Sequence, residues 1–202
     1  MITEFQYAAM HRRVFRDSLG FDGFNSDVVE IPNGDGKRDD GKIYAHIGIR
    51  YLHHAILGPA FRDAHAQAVG IAVELGIPPK YWPSMETSVL RILEYPPCIG
   101  SHKHTDFSLF TLNLYRNIQY VETEKVLNSH MMLNRFNAHS GEILEMIQPD
   151  LPAMPHEVIP HPSSHQFSAV YFALPPADVE LPNGKICGEW VEERKARSRA
   201  SK

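Results

Sequence analysis

Between Thr3 and Gly20 the apolar residues Phe5, Tyr7, Ala8, Val14, Phe15 and Leu19 recur at helical intervals, and the spacing predicts a helix over residues 4–19. Thr3 and Gln6 stand at capping-box separation, and Gly20 can adopt the left-handed conformation that ends a helix. From Phe21 to Lys42 the chain turns polar and rich in Gly and Asp, broken only by the short apolar run Val28-Val29-Glu30-Ile31-Pro32, which predicts a surface loop. A second helix is expected from Pro59, with Phe61, Ala64, Ala68, Ile71, Ala72 and Leu75 on one face. Gly76, Pro78 and Pro79 end it.

Past Trp82 the period shortens to two, and short runs of β-branched and aromatic residues are bounded by Pro, Gly and Asn. The pattern predicts strands at Thr87–Tyr95, His104–Tyr115, Glu142–Ile147 and Gln166–Leu174, with a less defined pair between Ile118 and Phe136. A last hairpin is expected at Leu181-Pro182-Asn183-Gly184-Lys185-Ile186, whose Asn-Gly pair suits a type I′ turn. The basic end, Arg194 to Lys202, is expected to fray. Two helices followed by a run of strands imply a mainly β protein with helices packed outside an antiparallel sandwich or barrel.

Composition narrows the field. At roughly 100 to 200 residues per domain, 202 residues make one domain. The parts are a helical and loop segment over 1–85, a core over 86–176, and a hairpin and tail over 177–202. With 43% hydrophobic and 22% charged residues the chain can bury a real core. A net charge of −4 offers no basic field for nucleic acid or an anionic membrane, so the expected partner is a small molecule. Neither a membrane span nor a secretion signal is expected, and two cysteines, Cys98 and Cys187, fit a reducing cytoplasm. Twelve histidines in a chain of this length raise the question of metal binding or proton transfer.

The segment Tyr95-Pro96-Pro97-Cys98-Ile99-Gly100-Ser101-His102-Lys103-His104-Thr105-Asp106 answers part of it. In an extended chain, side chains two apart project the same way, so His104 and Asp106 can reach one ion. The third ligand must come from elsewhere, and His156 is the leading candidate. Two His and one carboxylate on one face of an octahedral ion leave three positions open, as in non-haem Fe(II) oxygenases. His102 lacks the Thr-Asp that follows His104, His161 and His165 are expected as solvated loop histidines of the Pro/Ser-rich segment Pro160 to Ser164, and His53, His54, His65, His130 and His139 carry no ligand spacing.

The wider order is more specific than the pair. Tyr95-Pro96, the strand after Asp106, Gly141-Glu142-Ile143-Leu144-Glu145, His156-Glu157-Val158 and the strand Ser168 to Phe172 follow one another. This order resembles the isopenicillin N synthase-like branch of the iron and 2-oxoglutarate-dependent dioxygenases. There the pattern is Tyr-Pro, His-Thr-Asp, Gly-Asp-x-Leu-Glu, His-Arg-Val, Arg-x-Ser and a Phe-rich strand. The resemblance covers about residues 86–176. It implies a double-stranded β-helix, or jelly roll, with Fe(II) held by His104, Asp106 and His156, and with 2-oxoglutarate and dioxygen as cosubstrates. It also implies that Tyr95 and Ser168 touch the carboxylates of 2-oxoglutarate or substrate, and that a small molecule is hydroxylated, desaturated or cyclised.

One departure bears on the cosubstrate. Where the family has the Arg of Arg-x-Ser, this chain has Gln166, which can hydrogen-bond a carboxylate but cannot neutralise it. A hydrogen bond to a charged group contributes about 1.5 to 3 kcal/mol net, so 2-oxoglutarate would bind more weakly by about tenfold or more. Arg91, Arg116 or a protonated His165 could take over the charge. Alternatively the substrate itself supplies all four electrons, as for isopenicillin N synthase, or the chain is a non-catalytic jelly roll whose metal site is vestigial or holds zinc. Glu157 in place of the family's Arg and Leu93 in place of its Asn loosen the match further.

Overall fold

The structure is a computed structural model and describes residues 3, 6–9, 29–30, 43–117, 119–122, 133 and 136–200. Among these, nine strands form two antiparallel sheets. The larger has the order β1 (Val29–Glu30), β2 (Ile43–Ile47), β3 (Val89–Tyr95), β9 (Gln166–Ala173), β5 (Phe110–Asn117) and β7 (Ala138–Ser140). The smaller has the order β4 (Ser101–His104), β8 (His156–Ile159) and β6 (Gln119–Glu122). Three α-helices, α1 (Leu57–Glu74), α2 (Glu142–Ile147) and α3 (Cys187–Ala200), and two short 3-10 turns, Ile49–Tyr51 and Pro79–Tyr81, accompany them.

Strand alternation gives the large sheet two different faces. Leu90 and Ile92 of β3, Phe110 and Leu112 of β5, and Ala169 and Tyr171 of β9 pack with the α1 stripe Leu57, Phe61, Ala64, Ala68, Ile71 and Ala72. The other face carries Leu93, Tyr95 and Val170, which meet Val158 of the small sheet. The expected mainly β sandwich with helices outside is therefore the observed architecture.

Helix α1 starts two residues before Pro59. His54 Nδ1 accepts the backbone N–H of Ile56 and of Leu57, both at 3.2 Å, which satisfies two of the unpaired donors at the start. The helix ends as its sequence implies. Gly76 has φ +67°, its N–H donates to Val73 O at 3.0 Å, and Ile77 N–H reaches Ala72 O at 2.9 Å, a Schellman motif. The amino-terminal capping box is also formed: Thr3 N–H donates to Gln6 Oε1 at 2.8 Å and Gln6 N–H to Thr3 Oγ1 at 3.2 Å, opening a helical turn at 6–9. Most of the helix expected over 4–19, and of the loop over 21–42 apart from the edge strand β1, lies outside the described residues. So does much of the expected pair between Ile118 and Phe136, of which β6 is described.

Four expectations are corrected. The strand expected over His104–Tyr115 is two strands in different sheets, β4 and β5, because residues 105–109 turn from one sheet to the other. The strand expected over Glu142–Ile147 is helix α2. Its start is fixed by that same turn: Gly141 N–H donates to Leu109 O at 2.8 Å, Glu142 N–H to Asp106 O at 2.8 Å and Ile143 N–H to Ser108 O at 3.1 Å. The donors a helix leaves unpaired at its beginning are thus absorbed, and Ile143 and Leu144 are buried.

The expected hairpin at 181–186 is a single bridge, Glu180↔Ile186. Gly184 N–H closes on Leu181 O at 2.9 Å, with Gly184 at φ +79°. The central positions therefore fall on Pro182 and Asn183, and a proline ring cannot take the positive φ of a type I′ turn. The basic end does not fray from Arg194: it continues α3, anchored by Cys187, Trp190 and Val191, buried at helical spacing.

Gly141 sits so close to the Ser108 carbonyl that any Cβ there would collide with backbone. Gly141→Ala is expected to destabilise the protein by about 1 to 3 kcal/mol. Gly70→Ala, in the middle of α1 with open space beside it, should stabilise by about 0.5 to 1 kcal/mol. Urea unfolding midpoints of the two variants check both signs.

Candidate metal centre

His104 ends β4 and His156 begins β8, and the two are direct cross-strand partners. Their rings therefore approach each other across the small sheet, with centroids 4.3 Å apart. Asp106, in the turn that leaves β4, points its carboxylate between them. Its Oδ1 lies 3.8 Å from His104 Nε2 and 3.9 Å from His156 Nε2, and one donor atom from each of the three residues lies within 4.8 Å of the others.

The hydrogen bonds behind these atoms decide what they can do. His104 Nδ1 is 2.6 Å from His102 O, and His156 Nδ1 is 3.0 Å from Met154 O. A carbonyl can only accept, so each Nδ1 carries the proton and each Nε2 keeps its lone pair toward the centre. Asp106 Oδ2 accepts from Thr111 Oγ1 at 2.6 Å and from His139 Nε2 at 2.8 Å, which leaves Oδ1 for the centre.

Electrostatics agree with this division. Burial acts to raise the Asp106 pKa, but His156, His139 and His104 outweigh it and hold the carboxyl well below its ordinary value. Burial, opposed by the Asp106 charge, lowers His156 to about 4. A neutral His156 and an ionised, buried Asp106 form a donor set that suits a divalent cation.

The other sequence candidates lie on or near the face between the sheets. Tyr95 is buried opposite Gln166, Leu93 is opposite Ser168, and Arg91 is opposite Val170, so these three rows of β3 and β9 share one face. Gln166 Nε2 donates to Ile159 O at 2.8 Å, and Ser168 Oγ to Tyr115 O at 3.4 Å. Arg91 stacks against Tyr44 and Phe172, 4.8 and 4.6 Å from their ring centres, and its Nε donates to His46 Nε2 at 2.7 Å. Arg116 is exposed, in register with Ser168. His165 contacts Glu94 Oε1 at 2.6 Å, and Glu94 alternates away from the Arg91 row.

Sequence reasoning missed His139, Thr111 and Asn113. Thr111 and His139 are cross-strand partners on β5 and β7, and Asn113 Nδ2 lies 3.4 Å from His139 Nδ1. Thr111 and Asn113 could have been found, because strand alternation places both on the inward side of β5. His139 gave no local signal, since its partner is far along the chain.

The two sheets, their helices and this centre define a double-stranded β-helix of the kind 2-oxoglutarate oxygenases use. Residues 86–175 match the model of the 2OG-Fe(II) oxygenase superfamily. Similar solved structures share the fold. A putative oxygenase from Shewanella oneidensis is 18% identical with a TM-score of 0.66, over 96% of this chain and 85% of its own. A full-length protein from Neurospora crassa, solved in complex with alpha-KG, is 15% identical with a TM-score of 0.64, over 95% of this chain and 80% of its own. The Arabidopsis thaliana dioxygenase for auxin oxidation 1, as a 2-oxoglutarate binary complex, is 14% identical with a TM-score of 0.55, over 87% of this chain and 80% of its own. No curated protein matches the chain.

Thr111→Val removes one donor from Asp106 Oδ2 with little change in volume, and His139→Leu removes the other. Each should weaken divalent-metal affinity by about 10- to 100-fold, read by metal titration. A separate test concerns His46, which burial and the Arg91 cation lower from 6.5 to about 2. Below pH 6.5 the unfolded chain binds a proton that the folded chain refuses, so stability is lost as pH falls from 6.5. His46→Gln should show a shallower fall in urea midpoint between about pH 7.5 and pH 5 than the wild type.

Proposed function

We propose that this protein is a non-haem Fe(II)-dependent oxygenase that uses 2-oxoglutarate and dioxygen to oxidise a small molecule by hydroxylation, desaturation or ring closure. The observation that carries this reading is the Asp106 carboxylate, with Oδ2 held by Thr111 and His139 and Oδ1 turned toward two imidazole Nε2 atoms. His104, Asp106 and His156 would hold the iron. Bound Fe(II) chelated by 2-oxoglutarate would supply the oxidising equivalents from dioxygen. The chain's own groups orient and exclude: Leu93, Tyr95, Val158 and Val170 form an apolar wall that keeps water from the inter-sheet space.

For the carboxylates of cosubstrate or substrate, Tyr95, Gln166, Ser168, Arg91 and Arg116 are the candidates, and Arg91 is preferred over Arg116. It is half-buried on the inward face, and Tyr44, Phe172 and His46 fix the plane of its guanidinium. Gln166 remains a neutral amide bonded to a main-chain carbonyl. The alpha-KG and 2-oxoglutarate complexes of the structural neighbours support this cosubstrate. The family pattern Tyr-Pro, His-Thr-Asp and Gly-acid-x-Leu-Glu favours the isopenicillin N synthase-like branch.

Residues 1–202 are read as one oxygenase unit, since β1 and β2 from the first part share a sheet with β9. The cytoplasm is the proposed setting, because Cys98 and Cys187 are free thiols. The described residues contain no helix long and apolar enough to cross a membrane.

Gln166 favours a second reading, a 2-oxoglutarate-independent Fe(II) oxidase of the isopenicillin N synthase type. Anaerobic Fe(II) titration separates the two. A weak visible charge-transfer band on adding 2-oxoglutarate, lost in His104→Ala while the fold remains by circular dichroism, is the expected result. Arg91→Gln should raise the 2-oxoglutarate Kd by about tenfold, with Arg116→Gln near wild type. Iron-dependent oxygen uptake indifferent to 2-oxoglutarate would select the oxidase instead, and wild-type iron content in His104→Ala would refute the ligand assignment.

A further inference from the structure

Of the three proposed ligands, His104 is the least constrained by packing. Its side chain is 42% exposed, against 7% for His156 and 9% for Asp106. Residue 105 lies between His104 and Asp106, so whatever fixes Thr105 fixes the angle at which the two approach an ion. Thr105 Oγ1 donates to Glu142 Oε1 at 2.6 Å, and Glu142 N–H donates to Asp106 O at 2.8 Å. One residue at the start of α2 therefore grips the turn by both its side chain and its backbone.

Glu142 is itself held from outside the metal centre. Arg194 of α3 makes a two-pronged pair with it, Nε to Oε2 at 2.8 Å and Nη2 to Oε1 at 2.6 Å, and lies 5.1 Å from the ring centre of Phe107, the residue after Asp106. A single guanidinium so brackets the turn, on Glu142 from one side and on Phe107 from the other. Arg194 continues the buried stripe Cys187, Trp190 and Val191 at the next helical position. Those three apolar residues dock α3 without it. The pair is also only 30% and 17% exposed, and a planar fork on both carboxylate oxygens fixes geometry in a way that a floppy surface pair does not.

We propose that α3 is a positioning element of the metal centre: Arg194, through Glu142 and Thr105, holds the turn between His104 and Asp106 in ligating geometry. This rests on the reading of His104, Asp106 and His156 as metal ligands. Arg194 is a positioning residue that touches neither metal nor substrate. Because linkage is reciprocal, metal binding should in turn tighten α3 on the turn.

Co(II), a divalent ion with visible absorption, serves as the probe in the whole 202-residue chain. Arg194→Met keeps the stem over Phe107 and loses the fork; its Co(II) Kd should rise by about tenfold with little change in Tm. Arg194→Lys, with one ammonium for two oxygens, should fall between, and Thr105→Val should reproduce the loss by breaking the last link, which covers the case in which Arg194→Met folds poorly. Hydrogen exchange at the amides of 191–197 should slow when Co(II) is added to the wild type and respond less in Arg194→Met. A lowered Tm with unchanged Co(II) affinity in these variants would make Arg194 a mere fastening and overturn the proposal. A wild type that binds no Co(II), or a His104→Ala variant that binds it equally well, would instead bring down the ligand assignment beneath it.

Discussion

The two sheets meet at a buried carboxylate. Asp106 leaves β4 of the small sheet, yet the hydrogen bonds that make its charge tolerable come from Thr111 and His139 on β5 and β7 of the large one. An ionised carboxyl away from water costs several kcal/mol unless it is well paired, so these donors offset much of the cost of closing the sheets around it. The same bonds decide which oxygen is spoken for and which faces the imidazoles. Closure of the sandwich and preparation of the centre are therefore one event.

The space beside that centre is shaped by a similar economy. Arg91 could not lie inward on β3 without shelter, and Tyr44 and Phe172 supply it through their ring faces while His46 accepts its Nε–H. A neutral His46 is the condition for that bond, and burial together with the guanidinium itself keeps it neutral. The inner face thus presents, among the described residues, an oriented cation between two aromatic rings, a setting in which a carboxylate would be attracted because water competes little.

Much of this was legible in the chain. The alternation of β3 and β9 showed as period-two apolar patterning, α1 announced its stripe and its Gly76 stop, and His104 with Asp106 stood two apart. What escaped depends on distant contacts. Residues 104–115 look like one strand because Phe107, Leu109 and Phe110 are apolar, but the backbone hydrogen bonds from Gly141, Glu142 and Ile143 bend residues 105–109 into a turn. Residues 142–147 are too few for a helical period to show itself, and only those same carbonyls make the helix the better solution. Helix α3 hides because half of its residues are charged and its buried apolar residues, Cys187, Trp190 and Val191, all lie in the first turn and a half. His139 had no neighbour in sequence to give it away.

The order of strands has a consequence for how the molecule comes into being. Strand β9, the last of the described strands along the chain, lies in the middle of the large sheet, hydrogen-bonded to β3 on one side and β5 on the other. Until it has been synthesised, those two older strands have no common neighbour, and each offers a row of unsatisfied amides and carbonyls. Such distant pairings form slowly. A nascent chain on the ribosome must therefore hold its halves apart, at some risk of sticking to its fellows, until a late segment slots between them.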